Sequence, residues 1–123
     1  MKIILFIGAG SFIGGVCRYL LAVALQSKSL SVFPIGTLTV NIIGCFLIGI
    51  LFGLTEKLEF TTEWRLFLIT GILGGFTTFS AFSLETIGLL SNGLYSQAIG
   101  YVLLSVFVGL LATFAGMTLF KLF

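Results

Sequence analysis

Four long apolar runs dominate this sequence of 123 residues, and each is long enough to cross a lipid bilayer as a helix. A transmembrane helix needs roughly 20 apolar residues to span the hydrocarbon core. The runs predict helices over residues 3–25, 34–54, 66–90 and 97–121. Membrane barrels have short alternating segments instead. We therefore expect an all-α membrane protein with four transmembrane helices, forming one membrane domain over residues 1–123.

The charge content agrees with a membrane protein and argues against several functions. Charged residues make up 8% of the chain, whereas a soluble domain carries about 25%. The chain has no His, which removes the commonest general base and a common metal ligand. A net charge of +2 is too small to indicate nucleic-acid binding. We expect a multi-pass membrane protein without enzymatic activity.

Polar residues inside the predicted spans indicate a path through the membrane. Such residues face the bundle interior or a water-filled path. A single hydroxyl more often bonds back to its own helix, but Tyr101, Ser105 and Thr113 recur at multiples of four positions and so share one helix face. The second span adds the amide of Asn41, and the third adds the hydroxyl of Ser80. These side chains are candidate pore residues.

The third span contains three glycines in five residues, Gly71, Gly74 and Gly75. Each lowers helix propensity by about 1 kcal/mol relative to Ala. We predict that this helix is broken near residues 74–78, close to the middle of the membrane. A break frees backbone carbonyls, which a membrane tolerates only where they line a cavity or bind an ion.

Other small residues are expected to serve packing. Gly10 and Gly14 have the four-residue spacing that lets two helices approach closely. Cys17 and Cys45 lie inside apolar runs and are expected to be small apolar packing residues.

Phe79 and Phe82 are three residues apart, on one face of the predicted third helix. An aromatic ring has a positive edge, so ring edges, hydroxyls and an amide make a set of weak donors without a full charge. Conduction requires an ion to bind weakly enough to leave. This set indicates a path for a small anion, but it does not distinguish fluoride from chloride.

Two segments, residues 36–44 (GTLTVNIIG) and 74–83 (GGFTTFSAFS), resemble the signature segments of the bacterial CrcB/Fluc fluoride channels. The resemblance covers the whole chain. It implies a fluoride-selective channel of the bacterial plasma (inner) membrane that passively exports fluoride and lowers its toxicity. It also implies an antiparallel, dual-topology homodimer with two pores. A structural sodium ion would lie at the dimer centre, held by the backbone carbonyls of Gly74 and Thr77.

The resemblance assigns the pore phenylalanines, the pore amide and part of the polar track to residues of this chain. Two departures remove a hydroxyl each: Gly109 stands where the family has a serine, and Ala81 where it often has a threonine. These residues, together with the polar residues found inside the predicted spans, make seven expected pore residues. They are Asn41, Phe79, Ser80, Phe82, Tyr101, Ser105 and Thr113.

Arg18 and Glu85 are the two charged residues within the spans. Each has a structural interpretation, as an ion pair or a snorkelling head group, and a functional one, in the aqueous vestibule of a pore. Two other functions stay open. One is a small multidrug-type transporter, which would need a membrane-buried carboxylate. The other is a membrane subunit that transports nothing.

Overall fold

The computed structural model of the chain describes residues 1–119, except for the side chain of Glu56. This part of the chain is all helical, with no strand. The first helix is Lys2–Ser27 and the second is Ile35–Lys57. The third span is Thr62–Ser91 and the fourth is Tyr95–Leu119. The prediction of four helices long and apolar enough to cross a membrane is confirmed; the predicted end of the fourth, at residues 120–121, lies outside the described residues.

The connection between the first and second helices is held by the side-chain amide of Gln26. Its Nε2 donates to the carbonyl of Phe33 (3.3 Å), and its Oε1 accepts from the N–H of Gly36 (3.2 Å). Pro34 comes directly before the second helix, where its missing N–H costs nothing. These contacts fix the place at which the second helix begins.

The third span is broken at Thr77 and Thr78, as the glycine-rich sequence predicts. Both residues have extended backbone angles, with ψ of 154° and 120°. Residues 62–76 form the first half of the helix, and Phe79–Ser91 form the second half. Thr78 starts the second half, because its hydroxyl accepts from the N–H of Ala81 (3.2 Å).

Close helix contacts depend on glycine. A Cβ atom on Gly10 would lie 2.6 Å from the carbonyl oxygen of Phe67, and one on Gly14 would collide with the carbonyl oxygen of Ile72. The first helix therefore packs directly on the first half of the third span. The second helix packs in a similar way on the last part of the fourth span, Gly109–Leu119. The close-packing role expected for Gly10 and Gly14 is confirmed.

Large apolar side chains cover the outer surface. Phe12, Leu110 and Phe114 are 74%, 66% and 66% exposed. A continuous apolar exterior of this kind faces lipid or another protein. The small buried cluster, which contains Leu89 and Tyr101, lies beside the second half of the third span.

Candidate functional site

The break in the third span exposes backbone groups, and side chains from two other helices bind them. The amide of Asn41 makes a reciprocal pair with Thr78. The Thr78 N–H donates to Asn41 Oδ1 (2.8 Å), and Asn41 Nδ2 donates to the Thr78 carbonyl (3.0 Å). From the first helix, Arg18 Nε donates to the carbonyl of Gly75 (3.1 Å). The second and first helices therefore hold the break from both sides.

Carbonyls at the break lose the donors that an uninterrupted helix would give them, and those of Gly74 and Thr77 are two of them. The donor for Gly74 would be the Thr78 N–H, which binds Asn41 instead. The donor for Thr77 would be the Ala81 N–H, which binds the Thr78 hydroxyl instead. Unwound backbone carbonyls of this kind are typical sodium ligands in membrane proteins. The two carbonyls are those that the family resemblance assigns to sodium.

A cavity of about 370 Å³ lies beside the break, and we call it the break cavity. Among the described residues, it is lined by four of the seven expected pore residues, by the two expected sodium-binding residues and by no charged side chain. Its walls are Asn41, Gly44, Cys45, Ile48, Ile69, Leu73, Gly74, Thr77, Thr78, Phe79, Phe82, Ser105 and Val106.

The two predicted pore phenylalanines form one wall of the break cavity. Their ring centroids are 5.5 Å apart, with the rings tilted by 45°. Phe79 is 78% exposed, whereas Phe82 is half-buried and its ring centroid lies 5.2 Å from that of Tyr101. One ring is thus held by the protein interior, and the other projects from the surface of the chain.

The three hydroxyls expected to form a polar track have three different surroundings. Tyr101 is fully buried, and its hydroxyl donates to Glu85 Oε2 (2.6 Å). The hydroxyl of Ser105 is buried at the break cavity and has no hydrogen-bond partner within residues 1–119. The hydroxyl of Thr113 donates to the carbonyl of Gly109 (3.1 Å). Within the described residues, no hydrogen bond joins the three hydroxyls to one another.

A π-helical turn over Leu104–Val108 interrupts the α-helix within this series. A π-turn adds one residue to the helical repeat, so the angular spacing of the three residues is not that of a regular α-helix. The sequence gives no clear signal for this turn.

Glu85 is at the centre of a second polar group. Its carboxylate accepts from the hydroxyls of Thr37 and Tyr101, both at 2.6 Å. Glu85 and Thr37 also line a cavity of about 330 Å³ beside the first connection, together with Gln26. Arg18 is bound to Gly75 instead, so the two membrane charges do not pair with each other.

The remaining expected pore residue, Ser80, is exposed and lies outside the break cavity. Its hydroxyl is 3.1 Å from that of Thr78. The sequence interpretation did not single out Thr37 or Thr78 as site residues. Thr37 lies one helical turn before Asn41 on the same face, and this spacing was the signal available for it.

Comparison with known proteins decides the family. The sequence profile of the family described as "CrcB-like protein, Camphor Resistance (CrcB)" matches residues 5–117. The chain belongs to the CrcB family. The resemblance seen in the two signature segments is therefore confirmed. With four membrane-spanning helices, this CrcB-family protein is a multi-pass bacterial membrane protein and not an enzyme.

Its relatives align along nearly their whole length. A protein of Rhizobium meliloti is 46% identical over 122 residues, which cover 98% of each chain. One of Pseudomonas fluorescens is 47% identical over 123 residues and 99% of each chain. One of Phocaeicola vulgatus is 43% identical over 116 residues, 94% of this chain and 96% of the other. All three carry the name fluoride-specific ion channel FluC.

Proposed function

We propose that this CrcB-family protein is a fluoride-selective channel that lets fluoride leave the cytoplasm passively and so lowers its toxicity. The observation that carries the proposal is its near full-length similarity to relatives named fluoride-specific ion channels. The break cavity supports the same function, because its donors are uncharged.

The proposed pathway runs along the break cavity. Asn41 Nδ2 carries two N–H groups, and its bond to Thr78 uses one of them, so the second is the proposed donor to fluoride. The Ser105 hydroxyl and the ring edges of Phe79 and Phe82 supply further weak donors. Since none of the described residues brings a charged side chain to the cavity wall, an anion bound there would be held weakly enough to leave.

We assign the other expected pore residues to the ends of this pathway. Ser80 is exposed next to Thr78. The ring of Tyr101 contacts that of Phe82, and its hydroxyl is bound to Glu85. Thr113 lies beyond the π-turn, and in the single chain its hydroxyl is bonded to its own helix. Arg18 is proposed to raise the local concentration of anions at the pathway mouth.

The working unit is proposed to be an antiparallel, dual-topology homodimer with two pores. Three features of the single chain support a second copy: the exposed ring of Phe79, the exposed Gly74 and the unpartnered hydroxyl of Ser105. Chemical cross-linking in membranes should give a dimer. Reporter fusions to the C-terminus should be active on both sides of the membrane. A monomer, or a single orientation, would contradict this arrangement.

A structural sodium ion is proposed at the break, held by the carbonyls of Gly74 and Thr77. The loss of their helical donors to Asn41 and to Thr78 supports this assignment. When bound, the ion would supply a positive charge that stabilises these carbonyl dipoles. Thermal unfolding in detergent should occur at higher temperature in sodium than in potassium salts. Equal unfolding temperatures in both salts would contradict the sodium site.

Fluoride efflux from liposomes tests the proposed function directly. Purified protein should release fluoride rapidly, measured with a fluoride electrode, and should release negligible chloride. No fluoride release above protein-free liposomes would overturn the proposal. Dye transport driven by a cation gradient would instead favour the small multidrug-type transporter. We expect none, because both oxygens of the Glu85 carboxylate already accept hydroxyl hydrogen bonds.

A further inference from the structure

The polar face of the fourth span has a gap at Gly109. This residue lies midway between Ser105 and Thr113, and it has no side chain to continue the series. The space beside it is not empty. A Cβ atom on Gly109 would lie 3.4 Å from the Sγ atom of Cys45, which comes from the second helix. The thiol of Cys45 therefore lies at the gap.

Cys45 also lines the break cavity. It is four residues after Asn41, so the two side chains share one face of the second helix. Both are walls of the cavity, together with Thr78 and Ser105. Cys45 is half-buried, and the buried hydroxyl of Ser105 on the same cavity has no partner within the described residues. Cys45 therefore lines the cavity in addition to packing beside Gly109, the packing role that its apolar sequence context predicts.

We propose that Cys45 is a further residue of the ion pathway, whose thiol supplies the donor that Gly109 lacks. This inference rests on the proposed function. The S–H group is a weak, uncharged donor, so it extends the series of donors without trapping an anion. Cys17, the other cysteine of the chain, lies on the first helix outside the break cavity.

The two cysteines provide a matched pair of variants. Cys17→Ser keeps only Cys45, and Cys45→Ala keeps only Cys17. Each variant is reconstituted in chloride-free liposomes and exposed to Ag⁺, which binds a thiolate while the thiol proton passes to water. Fluoride efflux through Cys17→Ser should fall at least tenfold and recover when excess dithiothreitol removes the metal. Efflux through Cys45→Ala should not respond.

The outcomes separate this inference from the proposed function. Efflux through the unmodified protein tests the channel itself, and the difference between the two variants tests Cys45. Efflux through Cys17→Ser that is insensitive to Ag⁺ would overturn the inference while leaving the channel intact. Equal inhibition of both variants would overturn it as well.

The donor role has its own test without reagents. Cys45→Ala should lower fluoride efflux about threefold, the effect of losing one weak hydrogen bond, and Cys45→Ser should conduct at least as well as the unmodified protein. Adding Gly109→Ser to Cys45→Ala should restore efflux, because it places a hydroxyl in the same space from the other helix. Full efflux through Cys45→Ala, or no recovery in a double variant that remains folded by size-exclusion chromatography, would refute the donor role.

Discussion

Replacing Asn41 should damage both the stability and the conduction of this protein. The side chain binds the N–H of Thr78 at 2.8 Å and its carbonyl at 3.0 Å. It thus gives the broken helix the pairing that a neighbouring peptide group would give. Asn41→Ala removes both bonds and leaves two partly buried peptide groups without partners.

The cost follows from these two groups. An unsatisfied buried donor or acceptor costs about 1–3 kcal/mol. Because Thr78 is only partly buried and lies at a cavity, we take the lower half of that range for each group. The free energy of unfolding should therefore fall by about 2–4 kcal/mol. Asn41→Asp retains the acceptor for the Thr78 N–H, but its second carboxylate oxygen faces the Thr78 carbonyl and repels it. The negative charge of the carboxylate also repels fluoride.

Two measurements check this prediction. Chemical unfolding in detergent should give the expected loss for Asn41→Ala. The matched control is Asn92→Ala, because the exposed amide of Asn92 donates only to the carbonyl of Gly88 and its loss should cost less than about 1 kcal/mol. Fluoride efflux through Asn41→Asp should fall to the level of protein-free liposomes. The account of the break is wrong if the free energy of unfolding of Asn41→Ala is within about 1 kcal/mol of that of the unmodified protein, because this is the value of a single hydrogen bond.

Three further predictions concern other parts of the site. Phe82→Ile should lower fluoride efflux at least tenfold, because it removes a ring edge from the pathway; unchanged efflux would exclude the ring as a donor. Gly14→Ala should lower the free energy of unfolding by about 1–3 kcal/mol, because its methyl group meets a backbone carbonyl. The control is Gly15→Ala, whose methyl group enters open space. It should change the free energy of unfolding by less than about 0.5 kcal/mol. Arg18→Ala should lower efflux mainly at low salt, since screening weakens electrostatic attraction of anions; efflux that is unchanged at every ionic strength would limit Arg18 to its bond with Gly75.

The sequence predicted the break to within residues 74–78, and contacts with other helices explain why it lies at Thr77 and Thr78. Low helix propensity predicted disruption around Gly74 and Gly75, yet both remain helical. Gly75 packs against the backbone of Ser11, so tertiary contact maintains the helix there. The chain becomes extended two residues later, where Asn41 can bind the peptide groups of Thr78. Low helix propensity identified the segment that breaks. Side chains distant in sequence, such as Asn41, determine which of its residues become extended.

The backbone geometry of the fourth span was harder to predict than its length. The π-turn at Leu104–Val108 changes the helical repeat between Tyr101 and Thr113, and no sequence pattern indicates it. The meeting of the Thr37 and Tyr101 hydroxyls on Glu85 joins three helices. No local pattern in the sequence reports such a convergence.

The directions of the two half-helices are consistent with the proposed cation site and the proposed anion pathway at the same break. The first half ends at Phe76 and the second begins at Phe79. A helix carries about half a negative charge at its C-terminal end and half a positive charge at its N-terminal end. The C-terminal end therefore favours positive groups, and Arg18 binds there, at the Gly75 carbonyl. The opposite end favours an anion, and it is there that Phe79 enters the break cavity. Interrupting one helix thus provides both polarities within three residues, without a charged side chain in the pathway.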